Sequence, residues 1–300
     1  MPVLILRQNL RYIKNYNVLA TVTIICIVFN QEKTLEACIQ SVRAQTYQPI
    51  ELLVIDDAST DHSQKTLLDL QEKYKLKLIL HTTNKGYCQT FNEGLAFATG
   101  QYVLDLSADD LLHPEFIAIS VNRLRQTNNE FAAHYCDAWL LDEQTQQAQL
   151  HSLTTRFTKR PEGNIYTQLI QHYFICSPTV LFKRDHLLSI KGYDETLLYE
   201  DFDIQIRLAR RYKFCYSQEP LLRKTVREAG MSKKFSKWQS PYQRSTYKVC
   251  QKIYQLNKTT EEHRALATRC VYESKQNFLI GNWKLTVSYI ALAFKALLTR

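Results

Sequence analysis

Three acidic positions carry the residue types and spacing that chemistry needs. Asp57 follows the apolar run 50–55, IELLVI, inside the turn Asp56-Asp57-Ala58-Ser59-Thr60-Asp61. Asp109 stands in Ser107-Ala108-Asp109-Asp110, directly after Gln101 to Leu106. Glu200-Asp201 opens a stretch in which Ile204, Ile206, Leu208 and Tyr212 predict a helix. A carboxylate at a strand end can accept an N–H from a bound base. Carboxylate oxygens are hard ligands suited to Mg or Mn. A carboxylate facing a hydroxyl can take its proton as a general base. Each position also has a purely structural reading. Asp57 can be a turn carboxylate, with Asp61 the natural cap of the next helix. Asp110 suits a cap of its own following turn. Glu200 and Asp201 can simply stabilise a helix N-terminus.

Other chemistries are excluded by pattern. The chain has 7 glycines, no two of them two residues apart, so a GxGxxG turn is absent. A P-loop, a GxSxG elbow and an HExxH pair are absent too, and the histidines and cysteines show no zinc spacing.

The elements that must position the acids follow an alternating rhythm. Residues 21–29 read as a strand buried on both faces and 50–55 as a second buried strand, with 76–80 and 101–106 as a third and a fourth strand. Helices are expected at 35–45, 62–74 and 87–98 between them. That rhythm predicts an open, mainly parallel, Rossmann-like α/β sheet flanked by helices, with ligands at the carboxyl ends of its strands. After Pro114 a helix at 115–126 leads to a strand near 131–141, a polar stretch 142–164 and the apolar run Phe174 to Phe182. From about 235 onward the pattern is helical only.

The segments 27–61, IVFNQEKTLEACIQSVRAQTYQPIELLVIDDASTD, and 84–114, NKGYCQTFNEGLAFATGQYVLDLSADDLLHP, resemble the opening and the DxD-bearing part of the family 2 inverting glycosyltransferases. Residues 177–209, SPTVLFKRDHLLSIKGYDETLLYEDFDIQIRLA, resemble that family's acceptor-side segment with its Glu-Asp pair. The resemblance covers about 21–232 and implies a GT-A fold and transfer of a sugar from a nucleotide diphosphate sugar, such as a UDP-sugar. It implies that Asp57 pairs with a pyrimidine imide N–H and that Ile27 and Phe29 line the base pocket. Asn84 would contact the donor, and Ser107 and Ala108 would lie along it. Asp109 would hold a divalent cation, Mn2+ or Mg2+, and Asp201 would be the general base, with Glu200 in support. The family's first DxD acid is replaced here by Ser107, whose neutral hydroxyl can help only weakly. The Arg that often precedes Asn92 is replaced by Phe91, which makes Lys85 a candidate compensating cation. Arg227, in VREAGMS, resembles a basic group of the loop that closes over the diphosphate.

Composition sets the remaining expectations. A 45% hydrophobic chain of 300 residues can bury a large core, and net charge +9 suits anionic partners. The 8 cysteines have no CxxC pair and several lie in apolar runs, which favours reduced thiols and a cytoplasmic chain. The expected organisation is an N-terminal extension 1–20, a glycosyltransferase domain 21–232 and a helical extension 233–300. Between Arg207 and Lys252 thirteen Lys or Arg face two acids. Trp283, Val287, Ile290, Phe294 and Leu297 recur at helical spacing. The patch 223–238 suggests contact with an anionic membrane on its inner face. The terminal helix reads as a cap docked on the sheet, with membrane attachment as the alternative. No nucleic-acid-binding module is recognised. The expected acceptor is a surface glycan or a lipid-linked glycan. The alternative function is a non-catalytic nucleotide-sugar-binding or scaffold protein.

Overall fold

The computed structural model describes residues 19–155, 160–227 and 240–299. The expected strand at 21–29 is β1 (Val22–Val28), every residue of it buried. It lies between β2 (Ile50–Asp56) and β4 (Tyr102–Ser107), both parallel to it, with β3 (Lys77–Leu80) parallel to β2 at the edge. Helices α1 (Leu35–Arg43), α2 (Ser63–Tyr74) and α3 (Tyr87–Phe97) make the crossovers. Continuous β-branched runs result because helices cover both faces of a parallel sheet, leaving no wet side. Three backbone bonds carry the ladders past the strand ends. Asp57 N–H donates to Val28 O, His81 N–H to Asp56 O, and Ala108 N–H to Ile27 O. The loops that hold the candidate acids are thereby tied to one sheet edge.

Beyond β4 the sheet is mixed rather than mainly parallel. Its order is β3-β2-β1-β4-β8-β6-β9-β5, with β7 (Ala148–Leu150) hung on β6 (Phe131–Asp142). The short β8 (Leu181–Lys183) runs antiparallel to both β4 and β6. β9 (Lys213–Val226) is parallel to β6 and antiparallel to β5 (Asp110–Leu112). β9 has 14 residues and no counterpart in the expected pattern. Its sequence hides it: Pro220 cannot donate to a ladder, and the β6–β9 register shifts where Asp137 meets Pro220. The apolar run Phe174 to Phe182 yields mostly a 3-10 turn, Ser177–Thr179, and the three residues of β8.

Helices α4 (Phe116–Arg125), α5 (Tyr166–Gln171), α6 (Arg184–Ser189) and α7 (Glu200–Ala209) complete the sheet unit. Three longer helices follow: α8 (Pro241–Leu256), α9 (Thr260–Leu279) and α10 (Trp283–Leu298). Ser240 caps α8 ahead of Pro241 at its first turn, and Thr259 with Glu262 forms a capping box on α9. Val249, Ile253, Leu266, Tyr289 and Leu292 belong to the same buried cluster as Ile25 and Phe202, so these helices share the core of the sheet. All eight cysteines are buried and free.

On α10 the structure corrects the expected docking face. Trp283, Val287, Ile290, Phe294 and Leu297 are exposed, whereas Leu285, Tyr289, Leu292, Ala293 and Ala296 are buried. The helix is apolar on two sides, and the smaller, later-phased side packs inward. Of the expected N-terminal extension 1–20, residues 1–18 lie outside the described residues, as do 228–239 of the basic patch.

Candidate active site

Asp57 is 2% exposed, and both oxygens of its carboxylate have partners. Oδ1 accepts from Lys85 N–H at 2.8 Å and lies 3.0 Å from His81 Nδ1, while Oδ2 accepts from Gly86 N–H at 2.9 Å. Burial pushes this carboxyl up, but His81 and the two backbone donors outweigh it and hold the pKa below its usual value. Asn84 Nδ2 donates to Asp57 O at 3.0 Å. Gly86 has φ +87°, which a residue with a Cβ adopts only under strain, and it lets the loop turn its N–H groups onto Asp57. Lys85 Nζ is 2.7 Å from Glu93, whose other neighbour is His81 Nε2 at 3.2 Å. The Lys85 cation is thus held by a local acid. Asp56 orients the turn: its Oδ1 accepts from Ser59 N–H and Gln64 Nε2. Asp61 accepts from Ser63 N–H at the start of α2.

Phe29 is 46% exposed and precedes Asn30, whose N–H donates to Ser59 Oγ of the Asp57 turn. Ile27 is 3% exposed and packs in the core, so what it offers the sheet edge is its carbonyl oxygen, bonded to Ala108 N–H. Ala108 is itself buried.

At the end of β4, Ser107 Oγ accepts from Gln31 Nε2 at 3.1 Å. Asp109 has Arg227 Nη1 3.7 Å from its Oδ2, and Arg227 Nε lies 3.3 Å from Glu143. The structure therefore brings Arg227 onto the candidate metal ligand. Asp110 does not cap a turn. It begins β5, is buried and sits in register with Lys224 of β9. Burial raises its carboxyl to about 7 against the pull of Lys224. Among the described residues no three His, Cys, Asp or Glu side chains form a ready metal cage. A single carboxylate is enough where a diphosphate supplies the other oxygens, and the half-buried Asp109 fits that minimal role.

Across the sheet edge, α7 opens with Glu200 and Asp201. Asp201 Oδ1 accepts from Phe202 N–H at 2.8 Å and Oδ2 from Tyr173 O–H at 3.0 Å. Burial raises its pKa despite those donors and Lys224. Burial and the neighbouring Asp201 charge raise Glu200 well above the carboxylate range. Asp105, inside β4, accepts from Tyr87 O–H and Tyr193 O–H, each at 2.7 Å, and burial lifts it to about 6. Burial works against the Lys224 charge, but Asp110, Asp109 and Asp201 around it hold its pKa above the usual value. Asp105, Asp109, Asp110, Glu200 and Asp201 thus form an acidic cluster around Lys224.

The sequence model described as Glycosyl transferase family 2 matches residues 23–189. The chain belongs to this family. An uncharacterized glycosyltransferase of Rickettsia typhi is 28% identical over 213 residues, covering 69% of this chain and 64% of that protein. One of Nostoc is 35% identical over 118 residues, 39% of this chain and 36% of that protein. The family member described here thus matches less than two thirds of those relatives' length. TarS 1–349 of S. aureus, in complex with UDP-GlcNAc, has TM-score 0.69 at 16% identity, covering 92% of this chain and 81% of that one. The mannosyltransferase PcManGT of Pyrobaculum calidifontis, with GDP-Man and Mn2+, has TM-score 0.59 at 16% identity, covering 98% and 93%. These likenesses are of fold, and the fold is the GT-A α/β arrangement.

In this member of the family, four groups around the candidate acids were not singled out by the motifs. Asp105 carried a signal, an acid inside the otherwise apolar strand YVLDLS. Lys224 lay in the unrecognised β9. Tyr173 and His81 carried none, because only the folded chain brings them to Asp201 and Asp57.

Proposed function

We propose that this chain transfers a glycosyl group from a UDP-sugar to an acceptor hydroxyl with inversion, Asp201 acting as general base. The observation that carries the reading is the setting of Asp201. One oxygen is fixed by Phe202 N–H and the other by Tyr173 O–H, and burial raises its pKa toward working pH. In the step, the acceptor oxygen bonds to the anomeric carbon and its proton passes to Asp201. The bond from that carbon to the diphosphate oxygen breaks, and the electron pair leaves with the diphosphate. Phe29 offers the base a face, and the Asp57 loop offers it polar groups. Asn84 and Ser107 border the donor.

Asp109 is the residue placed to hold a divalent cation, Mn2+ or Mg2+, which when bound neutralises charge on the departing diphosphate as a Lewis acid. Arg227, 3.7 Å from Asp109, stands ready to meet the same phosphate oxygens. Glu200 buttresses the acceptor side. UDP-GlcNAc in TarS and GDP-Man in PcManGT support a nucleotide-sugar donor. A surface or lipid-linked glycan is the proposed acceptor, which places the chain in polysaccharide assembly. The test is Asp201→Asn, assayed for UDP release with a panel of UDP-sugars and acceptors and for UDP binding by calorimetry. Transfer is expected to vanish with UDP binding kept. Full transfer by the variant overturns the assignment, and UDP binding by the wild type without turnover on any acceptor favours a non-catalytic binding protein.

A further inference from the structure

The outward side of α10 contributes no residue to the candidate site and, among the described residues, is largely exposed. Trp283, Val287, Ile290, Phe294, Leu297 and Leu298 are between 43% and 80% exposed. At about 100° per residue these six fall within an arc of roughly 100°. Phe278, half-exposed at the end of α9, packs edge-on against Trp283 with centroids 4.7 Å apart and continues the stripe around the corner. Single exposed apolar residues are ordinary on a protein surface, but a contiguous stripe of this size marks an interaction site. The helix cannot be spared for core packing either, because its other face is already buried.

The charges beside the stripe select the occupant. Lys284 and Lys295 are exposed and lie on one shoulder of it, at the same helical phase to within about 20°, Lys295 with its Nζ 4.5 Å from the centroid of the Tyr254 ring. Lys275 is exposed on α9. No Asp or Glu follows Glu273 in the sequence. An antiparallel pairing of two copies about Ile290 sets Lys284 against the Lys295 shoulder of the other helix, like charge on like charge with no acid to relieve it. An anionic bilayer satisfies both parts: apolar side chains enter the acyl boundary, an indole sits at the interface, and lysines meet the headgroups. The helix is 16 residues long, and no described helix is long and apolar enough to cross a membrane.

We propose that the outward face of α10, with the Phe278–Trp283 corner, lies in the plane of an anionic lipid bilayer. This surface is separate from the donor and acceptor chemistry, and its test needs no turnover. The full chain is sedimented with vesicles of phosphatidylcholine alone and of phosphatidylcholine with phosphatidylglycerol. The wild type is expected to pellet with the anionic vesicles and to be released by salt. Val287→Asp with Phe294→Asp lowers partitioning by about tenfold or more. Lys284→Ala with Lys295→Ala lowers it by about fivefold per lysine on anionic vesicles only. The changed positions are exposed, so circular dichroism spectra stay native; Trp283→Gln with Leu297→Gln gives a milder second pair with the same direction. The proposal is overturned if the wild type stays in the supernatant, or if both stripe pairs pellet as the wild type does. It is equally overturned if ultracentrifugation shows a dimer that the stripe variants dissolve while vesicles capture nothing.

Discussion

Replacing Asp57 with alanine separates two roles that one carboxylate plays. The change deletes the acceptors for Lys85 N–H at 2.8 Å and Gly86 N–H at 2.9 Å, and the partner of His81 Nδ1. A hydrogen bond to a charged group contributes about 1.5–3 kcal/mol, so two such bonds amount to roughly 3–6 kcal/mol. Lys85 is exposed and Gly86 half-buried, so water can reach the freed N–H groups and the lower end, about 3 kcal/mol, applies. That is a large part of the roughly 5–15 kcal/mol that holds a domain folded. Asp57→Asn keeps one carbonyl oxygen and turns an NH2 toward the other donor, and is expected to lose about half as much. Urea unfolding read by far-UV dichroism measures both losses. UDP titration of the same variants is expected to show lost binding in each, since the amide presents donors where a base N–H needs an acceptor. A loss below about 1 kcal/mol in Asp57→Ala refutes the anchoring argument. Wild-type UDP affinity in Asp57→Asn refutes base pairing while leaving the anchoring intact.

Three further outcomes follow from the geometry. The Asp201 carboxyl is raised by burial, so kcat/KM is expected to fall on acidification already above the ordinary carboxylate range; a profile flat down to pH about 4 removes Asp201 as base. Glu51 is lowered to about 2, since burial is outweighed by Lys77, Thr23 and Thr99. A depressed folded value stabilises above the unfolded value of about 4.3, and that contribution is lost as pH falls toward 2. Wild-type unfolding midpoints should therefore drop more steeply over that window than those of Glu51→Gln, and parallel curves would refute it. Asp109→Asn is expected to weaken the Mn2+ dependence of UDP binding at least tenfold, measured by calorimetry with and without chelator; unchanged dependence moves the cation elsewhere.

The parallel half of the fold was legible because periodicity and chemistry agree there. Residues 22–28, 53–56 and 102–106 are buried on both faces and stop where polar turns begin. The second half hides its order. β9 carries Pro220 and charged residues because its β6 pairing tolerates a bulge and its Lys224 faces acids rather than solvent. The α10 reading went astray for a related reason: helical spacing reveals an apolar stripe but not which of two stripes turns inward. Asp57 and Asp201 were visible through their positions at element ends. Their partners His81 and Tyr173 were not, since 24 and 28 residues of chain separate them from those acids.

The approach to Asp201 is fastened from behind by α8. Ser245 Oγ accepts from Leu198 N–H and Tyr199 N–H, Lys252 Nζ reaches Asp194 and Asp203, and Arg269 of α9 lies over the Phe202 ring at 4.7 Å. Chimaeras among relatives that exchange everything after β9 will therefore alter the stiffness around Asp201 together with whatever the tail contacts. An exchange meant to change only the tail has to retain Ser245, Lys252 and Arg269 and so splice after Arg269.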